Sequence, residues 1–471
     1  MMHRLFLLVG LWVLGFWAHA ADVPPNPDLT FHKAPKPLPA GAVTTDWPHF
    51  LGPLQNATST ETKLLKKFGP EGPPLVWEMK RGSGYTSPVI QGERLVYFHR
   101  MGAENIVECM HPETGARLWR FSAPTKYRDR YGYNDGPRSS PVIDGDFVYI
   151  YTQEGVLYAL KLASGEVVWK KDLTAEYKID QNFFGVGTTP LIESAALIIN
   201  IGAPNGPCVL GLNKLTGEKL WGADANGWGP SYSSPVPATI HEKRRVLVFA
   251  GGESRPATGG LICLDPVTGK VDFTFPWRSE SYESVNAASP VVFNDQVFIT
   301  CSYDTGGVML TVKPDFTCEV AWKAAGFGSH FTTPLVKDGY VYGFDGRHQQ
   351  NSELVCYEWK TGKEQWRKLL EWDDKVSVKG REQSYHMTPG RGELLQVDGQ
   401  VLATGENGHL LWLELSPQGA KEISRSWLFV SPESWTPPIV SHGLLYISQN
   451  HGDMTKEGAS PRLLCFDLRG E

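Results

Sequence analysis

Most of the signatures by which catalysis is read from sequence are missing here. There is no G-x-S-x-G elbow, no H-E-x-x-H pair, no P-loop and no strand-associated Rossmann glycine pattern. Hydrolases of the nucleophile-elbow type, zincins and nucleotide-binding folds are therefore left without their motifs. A triad assembled from loops stays open, since triads are defined by geometry and not by order. Positive charge is also scarce: 45 Lys and Arg face 51 Asp and Glu, for a net charge of −6. That balance disfavours a nucleic-acid partner. Helix-period patterns are few. One apolar run stands out, "LFLLVGLWVLGFW" (5–17), between a basic "MMHR" and the small residues "AHA". It is too short to span a bilayer, so residues 1–20 read as a secretory signal peptide. No cysteine precedes Cys109, which disfavours a lipid anchor. The mature chain is expected to be soluble, without a transmembrane segment, and periplasmic or extracellular. Residues 21–45 are rich in proline and poor in core formers, and read as an extended tether.

Glycine (49) and tryptophan (16) are plentiful, and the composition is that of an all-β protein. A phrase recurs in which small hydroxylated residues precede a proline and a β-run, as in "YTSPVI", "RSSPVI" and "FTTPLV". Its prolines are Pro88, Pro141, Pro190, Pro235, Pro290, Pro334, Pro389 and Pro438, 44 to 55 residues apart. That period suits a four-stranded propeller blade and is too long for leucine-rich or ankyrin repeats. Residues 139–173 show the unit: β-runs separated by "DG", "QEG" and "ASG" turns, which makes four strands.

A second phrase, small-x-polar-x-x-Thr/Ser-Gly-x-x-x-Trp, closes each unit. It is clear at 109–119, 159–169, 211–221 and 356–366, and carries Phe273 in place of tryptophan at 263–273. A degenerate fifth copy ends at Trp322, and a longer seventh is assigned to Trp427. The eighth copy, "CFDLRGE", stops before its outer strand. An orphan strand at about 74–81, with Trp77, supplies the missing piece. The expected fold is an eight-bladed β-propeller over residues 46–471, closed by that N-terminal strand so that no sheet edge stays open. Cys109, Cys263, Cys356 and Cys465 occupy the small-residue slot in different blades, too far apart to bridge. They read as buried packing residues. Cys301 and Cys318 share a blade, and their pairing is left open.

The docking phrase and the eight-fold count resemble the pyrroloquinoline quinone (PQQ)-like repeat family. That family includes quinoprotein alcohol dehydrogenases and the lipoprotein scaffold of bacterial outer-membrane assembly. The lead-in "DWPHFLGPLQNATSTE" (46–61) resembles secreted members from environmental bacteria. The chain departs from the dehydrogenases in having no adjacent cysteines and no C-x-x-C-H, and from the scaffold in lacking a lipidation cysteine. None of the dehydrogenases' calcium ligands or catalytic carboxylates can be matched to a position here.

Blade geometry brings two sets of loops to one face. The residue three before each aligned proline should ring the channel mouth: Tyr85, Arg138, Gly187, Tyr232, Ala287, Phe331, His386 and Trp435, widened by Asn286, His330 and Tyr385. Aromatics with an arginine and histidines would suit a flat or polyhydroxylated ligand; plugging the channel top is the competing role. The other loops carry Glu154, Glu253, Asp304, Asp345, Glu406 and Asp453. No single loop has a calcium-binding spacing, and no metal site is assigned. The insertion 126–138, "KYRDRYGYNDGPR", reads either as a clamp for an anionic or sugar ligand or as a rigid support for blade 2. The leading expectation is a monomeric binding or scaffold propeller with a small-molecule or protein ligand at the channel mouth. The alternative is a PQQ-dependent dehydrogenase of alcohols or sugars. There, with PQQ and Ca²⁺, Arg138 would hold a quinone carboxylate, Trp435 would stack, and Asp304 or Glu406 would be the base.

Overall fold

A computed structural model describes residues 25–378 and 380–470; the signal-peptide expectation lies outside them. Eight four-stranded antiparallel sheets follow one another along the chain. Blade 2 typifies them, with strands Val142–Asp144, Phe147–Tyr151, Val156–Lys161 and Val167–Asp172. The single α-helix among the described residues is the short Leu173–Tyr177. No helix in them is long and apolar enough to cross a membrane.

The ring closes as the repeat arithmetic requires. Strand Leu75–Lys80 pairs with the C-terminal Arg462–Asp467, setting Trp77 opposite Cys465. The proline-rich stretch does not hang free as a tether. Leu29–Phe31 adds a fifth strand outside Leu75–Lys80, and Arg469 donates to the Lys36 carbonyl. Stranding the segment there satisfies backbone groups that an exposed edge would otherwise leave unpaired.

The second phrase explains blade contact in atomic terms. The outer-strand tryptophan of one blade donates its indole N–H to a carbonyl in the next: Trp77 to Pro112, Trp119 to Leu162, Trp169 to Lys214, Trp221 to Pro266, Trp322 to Trp359 and Trp366 to Ser416. For the first five of these, the glycine of the phrase sits beneath the indole. A Cβ on Gly165 would meet Trp119 at 2.5 Å, and one on Gly269 would meet Trp221 at 2.4 Å. Both glycines also turn with positive φ, which L-residues adopt at a cost. Blade 4 has Phe273 at this position, and blade 5 answers with Phe316 at the turn, at φ 61. The two phenylalanines fill one cluster, with Arg245 over the Phe316 ring at 4.1 Å.

The assignment of Trp427 as the seventh docking tryptophan is corrected. In blade 7 the large and small partners are exchanged between strands. Trp412 takes the slot that Cys109 fills in blade 1, and Ser424 stands opposite where a tryptophan would be. Trp412 donates to the Leu65 carbonyl, so an N-terminal segment, not blade 8 itself, receives it. Trp427 instead stacks on His409, with centroids 4.6 Å apart. All seven cysteines are free thiols, Cys301 and Cys318 included. Cys109, Cys263, Cys356 and Cys465 face Trp119, Phe273, Trp366 and Trp77 across their strands.

Burying one such indole contributes on the order of 4–6 kcal/mol before ordering entropy. Trp77→Ala should destabilise the protein by about 3–5 kcal/mol and lower its thermal unfolding midpoint. An unchanged midpoint would contradict the role given to the closing strand.

Candidate functional site

The hydroxylated residues before six of the aligned prolines have a specific use. Ser87 N–H donates to Ser140 Oγ, Ser140 to Thr189, Thr189 to Ser234, Ser234 to Ser289, and Ser289 to Thr333. This girdle of hydrogen bonds runs around the channel from blade 1 to blade 6 and holds the inner strands at one height. Side chains just upstream of it therefore converge on one axis. The opposite end of the channel is crossed by the lead-in segment: Trp47 bonds the Ile90 backbone, Pro48 accepts from Ile143, and Ser59 reaches Gln396.

Between these two ends lies a cavity of about 470 Å³. Tyr85, Arg138, Gly187, Tyr232, Ala287, His330, Phe331 and Trp435 line it together, with Phe50 of the lead-in segment. The volume falls within the range of small-molecule sites. Trp435 stacks on Tyr85 (5.3 Å, 28°) and meets Phe331 at 5.3 Å. Arg138 lies over Tyr85 and Phe184 at 5.4 and 5.2 Å, and Arg391 over Phe331 and Trp435 at 5.2 and 5.1 Å. Each guanidinium is thus set among aromatic rings, an arrangement stabilised by the ring quadrupole.

Each also has a buried carboxylate. Arg138 pairs with Asp129 at 2.8 Å. Glu406, 1 % exposed, receives Arg391 Nε at 2.7 Å and Nη2 at 2.8 Å, Trp435 Nε1 at 2.7 Å and Gln349 Nε2 at 2.9 Å. Burial alone would raise the Glu406 pKa; the bonds from Arg391 and Trp435 outweigh it and hold it below the usual carboxylate value. Its neighbour Glu393, 7 % exposed, also lines the cavity. Burial, then the Glu406 charge, pushes its pKa well up, which favours the neutral acid. His330 is lowered to about 3, by burial first and then by Arg391 and Arg347.

The insertion 126–138 is a hydrogen-bonded loop. Asp129 Oδ1 accepts from Tyr131 N–H at 2.9 Å and Tyr133 N–H at 3.4 Å, and Asp135 Oδ1 accepts from Asp129 N–H at 2.7 Å. That network fixes the loop, and the loop presents Tyr131 and Tyr133 to the cavity.

Two of the expected ring residues stand elsewhere. His386 lies on a hairpin, Trp372–Val378 with Arg381–Met387, exposed and bonded to Asp373 and Glu371. The hairpin is inserted just before Pro389 and carries the position three before that proline away from the axis; Arg391 takes its place. Tyr385 leaves with it. Asn286 is fully buried beside the cavity, its amide donating to the Ala250 and Trp277 carbonyls, and acts as a brace. Of the two carboxylates considered as a base, Asp304 does not line the cavity and Glu406 is occupied by Arg391. The residues missed were Arg391, Glu393, Phe183, Phe184 and Tyr303. Glu406 and the 126–138 tyrosines were visible only as members of loops.

The titration of this wall predicts opposing pH effects. A lowered His330 binds no proton between about pH 6.5 and about 3, whereas the unfolded chain does, so its contribution is present above pH 6.5 and falls as the solution is acidified. A raised Glu393 works the other way: the fold keeps a proton that the unfolded chain loses above its ordinary pKa. Glu393→Gln should therefore gain stability relative to wild type as pH rises from 4 to 8 (~ values set by the ordinary Glu range). Denaturant melts at several pH values check this, and a constant difference would refute the neutral acid.

The ring matches known structures in fold. BamB from Moraxella catarrhalis is 15% identical, with a TM-score of 0.55 over 84% of this chain and 98% of its own. The quinohemoprotein alcohol dehydrogenase from Comamonas testosteroni is 13% identical, TM-score 0.60, over 92% and 82%. A europium-containing methanol dehydrogenase is 10% identical, TM-score 0.62, over 90% and 98%. No curated protein matches the chain. Residues 103–368, more than half of the sequence, match the family model described as outer membrane protein assembly factor BamB, and the chain belongs to that family of PQQ-like repeat β-propellers.

Proposed function

We propose that this protein is an exported, monomeric propeller that binds a small molecule in the cavity at the channel mouth. The observation that carries the reading is the pair of arginines held between aromatic rings around one open-mouthed cavity. Such a wall is rigid before any ligand arrives, so binding loses little ordering entropy. Flat or polyhydroxylated ligands suit it, by stacking on the rings and accepting from the guanidinium groups.

Calcium-held PQQ is a poor fit to these residues. Both oxygens of Glu406 are taken by Arg391, Trp435 and Gln349, burial disfavours the charged form of Glu393, and there are no adjacent cysteines. Among the described residues no group of three His, Cys, Asp or Glu could hold a metal ion. No reaction step is drawn through the quinone.

A protein-scaffold role has one observation in its favour, the exposed hairpin Trp372–Met387, whose two strands pair only with each other among the described strands. Strands of that kind can pair with a partner's strand.

The small-ligand reading is tested by thermal unfolding of the full chain against a panel of planar aromatic acids and neutral polyols. A ligand at a hundredfold excess over its Kd should add about 2.7 kcal/mol, and Phe331→Ala should lose that shift while remaining folded. A shift that survives in Phe331→Ala would place the site elsewhere.

A further inference from the structure

We infer that the cavity takes an uncharged pyranose sugar, with Tyr131 and Tyr133 stacking on the next ring of an oligosaccharide at the mouth. The inference rests on the reading of the cavity as a small-ligand site. It follows from three observations that agree.

The first is charge. Arg138 is matched by Asp129, whose side chain is fully enclosed, and Arg391 by Glu406. Burial and the Glu406 charge push the Glu393 pKa well up, and His330 carries no charge at neutral pH. Glu283 adds a carboxylate to the lining. Both guanidinium groups that line the cavity already hold a carboxylate, and an anionic ligand there would have to compete with a buried partner in place; Arg347, over the Tyr303 ring, does not line it.

The second is the pattern of donors and acceptors. Arg138 and Arg391 line the cavity while their carboxylate partners do not, so each guanidinium faces a ligand with the N–H groups its carboxylate leaves over, donors that suit hydroxyl oxygens. Glu393 is more than nine-tenths buried, lines the cavity and makes no side-chain hydrogen bond among the described residues. Its carboxyl opens on the cavity, where a sugar hydroxyl can both accept from and donate to such a group.

The third is the mouth. Tyr131 and Tyr133 are 54 % and 53 % exposed, yet Asp129 bonds both of their backbone N–H groups, and Arg130 pairs across the opening with Glu253. Rings held this firmly in water present a flat apolar face at low entropic cost, the need of a sugar's C–H face.

The test is calorimetric titration of the full chain. Probes are glucose, galactose, xylose and N-acetylglucosamine with their short oligomers, set against glucuronate and naphthalene-2,6-dicarboxylate. The expected result is binding of at least one neutral sugar, little changed by salt, with its oligomer about 2–10-fold tighter than the monomer. Tyr131→Ala with Tyr133→Ala, both about half exposed, should abolish the oligomer's advantage over the monomer. Glu393→Gln should retain binding and Glu393→Leu should weaken it about tenfold or more. Binding of the anions but of no neutral sugar overturns this inference while leaving the small-ligand reading standing. Binding of neither overturns both. An oligomer advantage that persists in the tyrosine variant removes the mouth from the proposal.

Discussion

Everything in this ring depends on an indole finding room in the neighbouring blade. The tryptophan needs a carbonyl to receive its N–H and a residue without a side chain beneath its face, and the repeat supplies both from a single turn. The requirement binds two blades at once, so a change on one side must be answered on the other. Blade 4 shows the rule by its exception: with Phe273 there is no N–H to satisfy, and the next turn no longer needs glycine, so Phe316 fills the space. Blade 7 shows a second solution. Its large residue moved to the third strand as Trp412, and the receiving carbonyl comes from Leu65, which makes the N-terminal segment a working part of the wall.

The inner circumference is governed by a different bond. Hydroxyls from blade 1 to blade 6 hand a hydrogen bond from strand to strand, and the series stops where Thr388 turns to the Gln349 carbonyl. That sector, blades 7 and 8, is where Arg391, Glu393, Glu406 and Trp435 stand. The polar wall of the cavity thus occupies the part of the ring released from the repeat pattern, while the aromatic wall grows from loops on the regular part. Chemistry collects where the scaffold is least uniform.

The architecture was legible because repetition prints each constraint eight times: proline spacing, docking phrase and orphan strand together yield blade number and closure. The exchange in blade 7 was not legible, because a large–small pair across two strands packs alike in either order and Trp427 lay near the expected place. The site was legible only where loop lengths are conserved between blades within this chain. Tyr85, Arg138, Tyr232, Phe331 and Trp435 sit three before their prolines and meet. His386 obeys the same count but is carried off by an inserted hairpin, a displacement that residue spacing does not reveal. Arg391 and Glu393 lie after the proline, yet strand register (Gln396 opposite Val401 as Ile90 is opposite Leu95) sets them at the positions of Tyr85 and Ser87. Pairing of Arg391 with Glu406 is a contact between separate turns, and neither turn alone announces it.

Phe50 has a consequence beyond packing. It reaches the base of the cavity from the lead-in segment, which itself crosses the far end of the channel. The central passage is therefore a cul-de-sac and not a tunnel. Whatever enters must leave by the same door, and a long chain could offer only its terminus, never its middle.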